Sequence, residues 1–326
     1  MPSCERVLLV IPVLDDWPSA DTLCQSLDAV FQPLPEYAVS ILMVDDGSAT
    51  EAALPSTAHC SSLRSIQILH LKRNVGHQRA IAIGLAYAQE HLPSTFLVVM
   101  DGDGEDRPEH VPELLRALAA SRAPVVFAER RKRFASLTFR VCYAAYRMLH
   151  RICTGRSIRY GNFSAIRYEA LQRLTVMSEL WTHYAAAVVL SRLPFITIQL
   201  DRGKRYAGTT KMNLDSLVLH GLAAMALYPS VSVRVLVGSA FVGALSLLVA
   251  IIVTAVRVTT DLAITGWTTT MLGFAITLFS MTTLLSLIFV FINLALRSLS
   301  VYLPIRDYTH FVRNHEYLHE LQVSRE

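Results

Sequence analysis

Two long stretches without a charged residue constrain this 326-residue chain more than any other feature. The first runs from Val235 to Val256, 22 residues bracketed by Arg234 and Arg257. The second runs from Leu262 to Leu296 and is most apolar over Met271–Leu296. Roughly 20 apolar residues suffice for a helix to cross the hydrocarbon core of a bilayer. Both stretches reach that length, and a soluble core seldom holds helices so uniformly apolar. Transmembrane helices are expected over 233–257 and 268–297. Two crossings bring residues 298–326 back to the starting side, as a tail. Arg297, Arg306 and Arg313 follow the second span, and Lys204, Arg205 and Lys211 precede the first. By the positive-inside rule that side is the cytoplasm, with Arg257 in the outer loop as the exception. Asn213–Ser230 is apolar on one side and ends at Pro229, as a helix lying in the interface would (212–232). Apart from the arginines at their ends, neither span carries an acidic or basic residue, which argues against a channel or transporter subunit.

Residues 1–211 form a different kind of chain. Val7–Val13 is a nearly continuous apolar run, as in a parallel strand covered on both faces. Further strands are expected over Val39–Val44, Ser65–Leu71, Thr95–Met100 and Pro124–Ala128. Ser19–Phe31, Gly76–His91 and Pro108–Ala120 carry helical spacing between them. This alternation predicts an α/β fold with a doubly wound, mostly parallel sheet. In such sheets ligands collect at the carboxyl ends of strands, and two of those ends are acidic here.

Net charge of +4 is too small to argue for nucleic acid. Its distribution is uneven: from Arg130 to Tyr168 there are ten Lys or Arg and no Asp or Glu. Such a block suits anionic lipid or a phosphate-bearing substrate, or simply a solvated helix face. Within it, Phe134–Ile152 reads as an amphipathic helix. The five cysteines are odd in number and lack CxxC spacing, so neither a disulfide framework nor a zinc site is expected.

The strongest chemical cluster is Asp101-Gly-Asp103-Gly-Glu105-Asp106, directly after the apolar VVM. Alternate carboxylates at a strand end suit one hard divalent cation held against a diphosphate. Magnesium takes one or two protein carboxylates and completes its shell with water and phosphate oxygens. Asp45-Asp46-Gly47-Ser48 ends a second strand, where a carboxylate would accept from a base N–H or a ribose hydroxyl. A solvated turn is the plainer reading of that pair. Arg73-Asn74-Val75-Gly76-His77-Gln78 opens a helix, whose amides and cations suit an anion; Gly76 alone would also serve a turn. Trp181 and His183 are candidates for the mouth of an acceptor site, with ordinary packing as the simpler reading.

Taken together, IPVLDD, VDDGS, LKRNVGHQRAIAIGL, VVMDGDGEDRPE and RYAGTTKMN stand in an order that resembles family-two glycosyltransferases of GT-A fold. The closest resemblance is to membrane enzymes that move a sugar from a nucleotide onto polyprenyl phosphate, of the dolichyl-phosphate mannose synthase kind. It covers about residues 6–300. The resemblance implies that Pro12, Val13, Asp16, Asp46 and Asp101 line a nucleotide pocket. It implies that Asp101, Asp103 and Glu105 surround Mg2+ or Mn2+. It further implies that Arg130 and Arg133 meet the acceptor phosphate, with Arg205 and Lys211 on a mobile loop over the site; Asp103 and these four basic residues form the expected catalytic set. The implied activity is inverting transfer from a nucleotide-sugar, UDP favoured over GDP, to a polyprenyl-phosphate or other lipid acceptor. The implied setting is a bacterial inner membrane, and relatives suggest a homo-oligomer.

The chain departs from the family pattern in four places. Leu14-Asp15-Asp16 replaces the usual Tyr-Asn-Glu, Glu105 replaces a Gln, and Asp106-Arg107-Pro108 replaces Asp-Pro-Pro. Asn162 stands where relatives carry an Asp proposed as catalytic, and asparagine is no general base. A phosphate monoester, with a second pKa near 6, is largely dianionic at neutral pH and needs no base. A sugar hydroxyl would need one, with Asp106 or His183 as candidates. Asn162 thus favours a phosphate acceptor. It also leaves open a non-catalytic membrane scaffold that keeps a nucleotide-binding fold. A processive polysaccharide synthase is disfavoured, because the Gln-x-x-Arg-Trp signature is absent.

Overall fold

The computed structural model describes residues 4–130, 148, 150–152, 154–155, 160–207, 223, 225–260, 266–298 and 302–320. The expected Phe134–Ile152 and Asn213–Ser230 helices fall largely outside these residues. The chain forms two units: one of 1–135, 158–224 and 302–326, the other of 136–157 and 225–301.

The first unit is built on eight strands: β1 (Glu5–Val13), β2 (Tyr37–Asp45), β3 (Leu63–Leu71), β4 (Phe96–Val99), β5 (Val125–Arg130), β6 (Tyr160–Arg167), β7 (Phe195–Leu200) and β8 (Val312–Glu320). Their order in the sheet is β7-β5-β6-β4-β1-β2-β3-β8. The centre, β4-β1-β2-β3, is parallel throughout. β6 inserts antiparallel between β4 and β5, β7 runs parallel to β5, and β8 is an antiparallel edge. The sheet is therefore mostly parallel and mixed at its flanks, as a GT-A-like fold requires.

The continuous apolar run of β1 is explained by the two-residue period of a strand. Val7, Leu9, Ile11 and Val13 enter one core with Trp17, Leu23, Leu27 and Phe31 of α1 (Trp17–Phe31). Leu8 and Val10 enter the other, beneath α2 (His77–His91). Each such side chain fully removed from water stabilises the fold by roughly 1.5–3 kcal/mol. At Gly84 the helix lies so close to the sheet that an added Cβ would stand 2.6 Å from Val44 Cγ2 and 2.8 Å from Val10 Cγ1.

The tail was expected only as a cytoplasmic extension. Residues 302–320 instead complete the first unit: Lys72 N–H donates to Phe311 O at 2.8 Å, and Ile305 N–H donates to Thr175 O at 3.0 Å. β8 carries Arg313, His315, Glu316 and His319, so no apolar alternation marks it as a strand. An edge strand tolerates that composition because one side of its backbone stays open.

The second unit contains two long helices, Pro229–Thr259 and Trp267–Ser298. They are long and apolar enough to cross a membrane, over Ser230–Thr259 and Trp267–Ile292. Their apolar side chains are mostly exposed, among them Phe241, Ile251, Phe274 and Phe291. That is unlike the core helix of a soluble protein, which buries them. The two pack on each other where the Phe279 ring fills the space beside Gly243, and Arg257 donates to Thr268 Oγ1 at 2.7 Å.

Candidate active site

The parallel centre of the sheet brings the tips of β4, β1 and β2 side by side. A cavity of about 430 Å3 opens there, lined by Pro12, Val13, Leu14, Asp16, Asp46, Asn74, Gly76, His77, Asp101, Gly102, Asp103 and Arg205. All five residues expected to meet the nucleotide (Pro12, Val13, Asp16, Asp46, Asp101) line this one cavity. Asp103 and Arg205 line it as well.

Asp46 follows β2, and its N–H donates to Val13 O at 2.9 Å. Its carboxylate accepts from Val75 N–H at 2.7 Å and from Gly76 N–H at 3.0 Å. The amides expected to meet an anion at the start of α2 thus have one already: two of them hold Asp46. The loop reaches it because Gly47 adopts φ +74°, where a Cβ would stand 2.6 Å from the backbone of Arg73 and Asn74. Asp46 is 3% exposed. Burial raises its pKa, with the two amides and His77 pulling the other way.

Asp101 and Asp103 follow β4. The Asp101 N–H donates to Asp106 Oδ2 at 3.0 Å, which closes the turn. Asp103 accepts from Glu105 N–H at 2.9 Å and meets Arg205 at 2.6 Å. Glu105 is 5% exposed and is bound by both Arg202 and Arg205. The 201–206 segment lies across this acidic turn: Gly203 N–H donates to Glu105 O at 2.8 Å and Tyr206 N–H to Asp103 O at 3.0 Å. Tyr206 packs on Gly104, whose φ of +85° leaves no room for a side chain.

The expected set of three metal carboxylates therefore divides. Asp101 and Asp103 line the cavity, while Glu105 does not and is bound by Arg202 and Arg205. Among the described residues no group of three or more His, Cys, Asp and Glu side chains is gathered to hold a metal. Two cavity-lining carboxylates still suit a magnesium-type ion that takes the rest of its shell from phosphate and water. Arg202 was missed in the sequence; only its place in the basic Arg202-Gly-Lys-Arg run hinted at it. Burial lowers its pKa, with Asp103 opposing.

His77 opens α2 and lines the cavity, 3.2 Å from Asp101 Oδ1. Burial lowers its pKa, but the Asp101 bond and the charges of Asp101, Asp106 and Asp46 outweigh that, and the net shift is upward. Asn162 lies beside it: its Nδ2 is 3.0 Å from His77 Nε2, and its Oδ1 accepts from Gln78 Nε2 at 3.2 Å. Gln78 Oε1 in turn accepts from Tyr184 N–H at 2.7 Å. Asn162 is thus held behind the cavity-lining His77 by hydrogen bonds to side chains of α2.

Asp106 is 3% exposed and spent on the turn. Trp181 stacks on Tyr302 at 5.6 Å, and buried His183 caps a short helix by accepting from Ala186 N–H at 3.4 Å. Both belong to packing, and neither lines the cavity. Arg130 ends β5 with its side chain outside the description, and Arg133 and Lys211 lie outside the described residues altogether.

A parallel sheet with acidic strand tips around one cavity defines a class, and comparison with known proteins fixes it. Residues 9–175 match Glycosyl transferase family 2, and the chain belongs to that family. It is similar to an uncharacterized glycosyltransferase, YkcC, of Bacillus subtilis, 26% identical over 268 residues (79% of this chain, 80% of that protein). It is similar to a bactoprenol glucosyl transferase of Shigella phage SfV, 26% identical over 234 residues (69% and 73%). An undecaprenyl-phosphate 4-deoxy-4-formamido-L-arabinose transferase of Sodalis glossinidius is 32% identical over 123 residues, 35% of this chain and 34% of that protein. Among solved structures, glucosyl-3-phosphoglycerate synthase of Mycobacterium tuberculosis, in complex with Mn2+, UDP-glucose and phosphoglyceric acid, shares the fold (TM-score 0.50, 15% identity, 71% of this chain and 79% of that one).

Proposed function

We propose that this chain is a membrane-bound inverting glycosyltransferase that moves a sugar from a nucleotide-sugar, a UDP-sugar before a GDP-sugar, to polyprenyl phosphate. The observation that carries the reading is the single cavity shared by Asp46 and by Asp101 and Asp103. Two strand tips frame a space of the size small-molecule sites occupy. The acceptor is supported by relatives whose names include bactoprenol and undecaprenyl phosphate. The membrane is supported by two mostly exposed apolar helices in the same chain. The cytoplasmic placement rests on basic residues flanking those helices. β8 puts the residues after the second helix into the same sheet as those before the first, which supports both lying on one side of the membrane.

In this reading Asp46 shapes the nucleoside end by fixing the 73–77 loop, and Asp16 and Pro12 wall it. Asp101 and Asp103 would hold Mg2+ or Mn2+, which supplies charge stabilisation to the departing nucleoside diphosphate. Arg205 lines the cavity as the cation available to phosphate oxygens, beside the acidic turn that now binds it. Arg130, Arg133 and Lys211 are proposed to neutralise the acceptor phosphate. Asn162 removes no proton; a dianionic phosphate nucleophile asks only for positioning. The test is a panel of nucleotide-sugars given to the full chain in vesicles carrying either polyprenyl phosphate or the free polyprenol. Transfer to the phosphate alone is expected, with a rate that follows the acceptor's own second ionisation, at a pKa of about 6. Equal transfer to the alcohol would refute the acceptor assignment.

A further inference from the structure

The strand that follows the second apolar helix reaches the donor loops through a line of side chains. Glu316 of β8 places Oε2 3.2 Å from His70 Nε2, and His70 Nδ1 lies 2.8 Å from Asp45 Oδ2. The other Asp45 oxygen accepts from Ser48 N–H at 2.8 Å. Ser48 Oγ accepts from Asp15 N–H at 2.9 Å. Asp15 Oδ1 then accepts from Ala49 N–H at 2.7 Å and Thr50 N–H at 3.2 Å, which closes the loop after β1 onto the loop after β2.

Asp15 has φ +49°, in the left-handed region that a side chain rarely adopts. Such a conformation persists only where its surroundings over-determine it, and here the Ala49 and Thr50 amides hold its carboxylate while Ser48 Oγ accepts its own N–H. Its neighbours Leu14 and Asp16 line the cavity, as does Asp46 beside Asp45. A residue in an unfavourable conformation thus sits between two cavity-lining ones, held by the far end of the line.

The geometry points to Glu316 and His70 as positioning residues for the cavity: the post-helix strand sets the two loops that receive the donor, acting through Asp45, Ser48 and Asp15. What those loops bind rests on the proposed function; the coupling is a property of the chain alone, and its test is free of ligand. Hydrogen exchange is measured by mass spectrometry on the full chain in micelles, without nucleotide. Glu316→Ala is expected to speed exchange of the 14–16 and 48–50 amides about two- to fivefold, the range for an ion pair whose carboxylate is half exposed. Glu316→Gln keeps an oxygen toward His70 and should fall between. Ser48→Ala cuts the line at its far end, and should loosen 14–16 while leaving β8 protected. His315→Ala is the comparator: it removes a β8 contact, Nε2 to Gln67 Oε1 at 3.0 Å, off the line. It should loosen β8 and β3 and leave 14–16 unchanged. Unchanged loop exchange in Glu316→Ala would overturn the inference, whatever Ser48→Ala does. Loosening of the loops by His315→Ala equal to that by Glu316→Ala would also overturn it, by assigning the effect to the strand as a whole. Failure of the vesicle transfer assay with normal coupling here would instead count against the proposed function only.

Discussion

Replacing Asp46 with alanine separates two roles that a carboxylate at this strand tip combines. Both of its oxygens accept backbone N–H groups, from Val75 and Gly76, in a position that is 3% exposed. Truncation leaves two donors without partners, each costing about 1–3 kcal/mol if it stays dry. The neighbouring cavity admits water, which places the expected total near the low end, about 2–3 kcal/mol. For a catalytic unit of this size that corresponds to a fall in melting temperature of about 4–12 °C. Tryptophan fluorescence during heating reads it, since Trp17 and Trp181 both lie in the first unit. Asp46→Asn restores one acceptor but turns an N–H2 toward the second amide, so it should recover only part of the loss. Nucleotide affinity should fall in both variants, because Asn74, Gly76 and His77 line the same cavity. Melting of Asp46→Ala within about 1 °C of the parent would refute the claim that this carboxylate anchors the loop.

The remaining expectations concern pH, packing and the guanidinium pair. The Asp46 pKa is raised in the folded chain, so the folded state holds that proton more tightly than the unfolded one. Its contribution to stability then falls as pH rises from the ordinary carboxylate value through the raised one, and Asp46→Asn should flatten that part of a stability–pH curve. Gly84→Ala gains about 0.5–1 kcal/mol of helix propensity but drives a methyl into Val10 and Val44. Overpacking of about 1–3 kcal/mol wins, and denaturant titration should show net destabilisation. Glu105→Gln removes the charge facing Arg202 and Arg205, each about a quarter exposed. Solvent screening reduces the cost of a broken buried pair, so about 1–2 kcal/mol is expected by the same titration.

The parallel core was legible because a strand buried on both faces must be apolar at every position, and Val7–Val13 is. The acidic strand tips were legible for the opposite reason, since carboxylates directly after such a run break its apolar pattern at the ends where ligands collect. What escaped was decided by tertiary pairing. β8 is an edge strand, where charged residues are tolerated, and Val312–Glu320 carries no period that marks it. Glu105 reads like its neighbours in Asp101-Gly-Asp103-Gly-Glu105, yet the 201–206 segment folds over it and binds it through Arg202 and Arg205. The amides of Val75 and Gly76 looked free for a ligand, because nothing local reveals that Asp46, some thirty residues earlier, meets them.

Transfer of labelled sugar from a nucleotide-sugar into the lipid extract of vesicles containing the full chain, for the parent and for Asp103→Asn, tests the central claim most directly. The account predicts label in the lipid fraction for the parent, none for Asp103→Asn, and a cooperative melt for both, lowered in Asp103→Asn by the loss of its charge facing Arg205. Undiminished transfer by Asp103→Asn would contradict it.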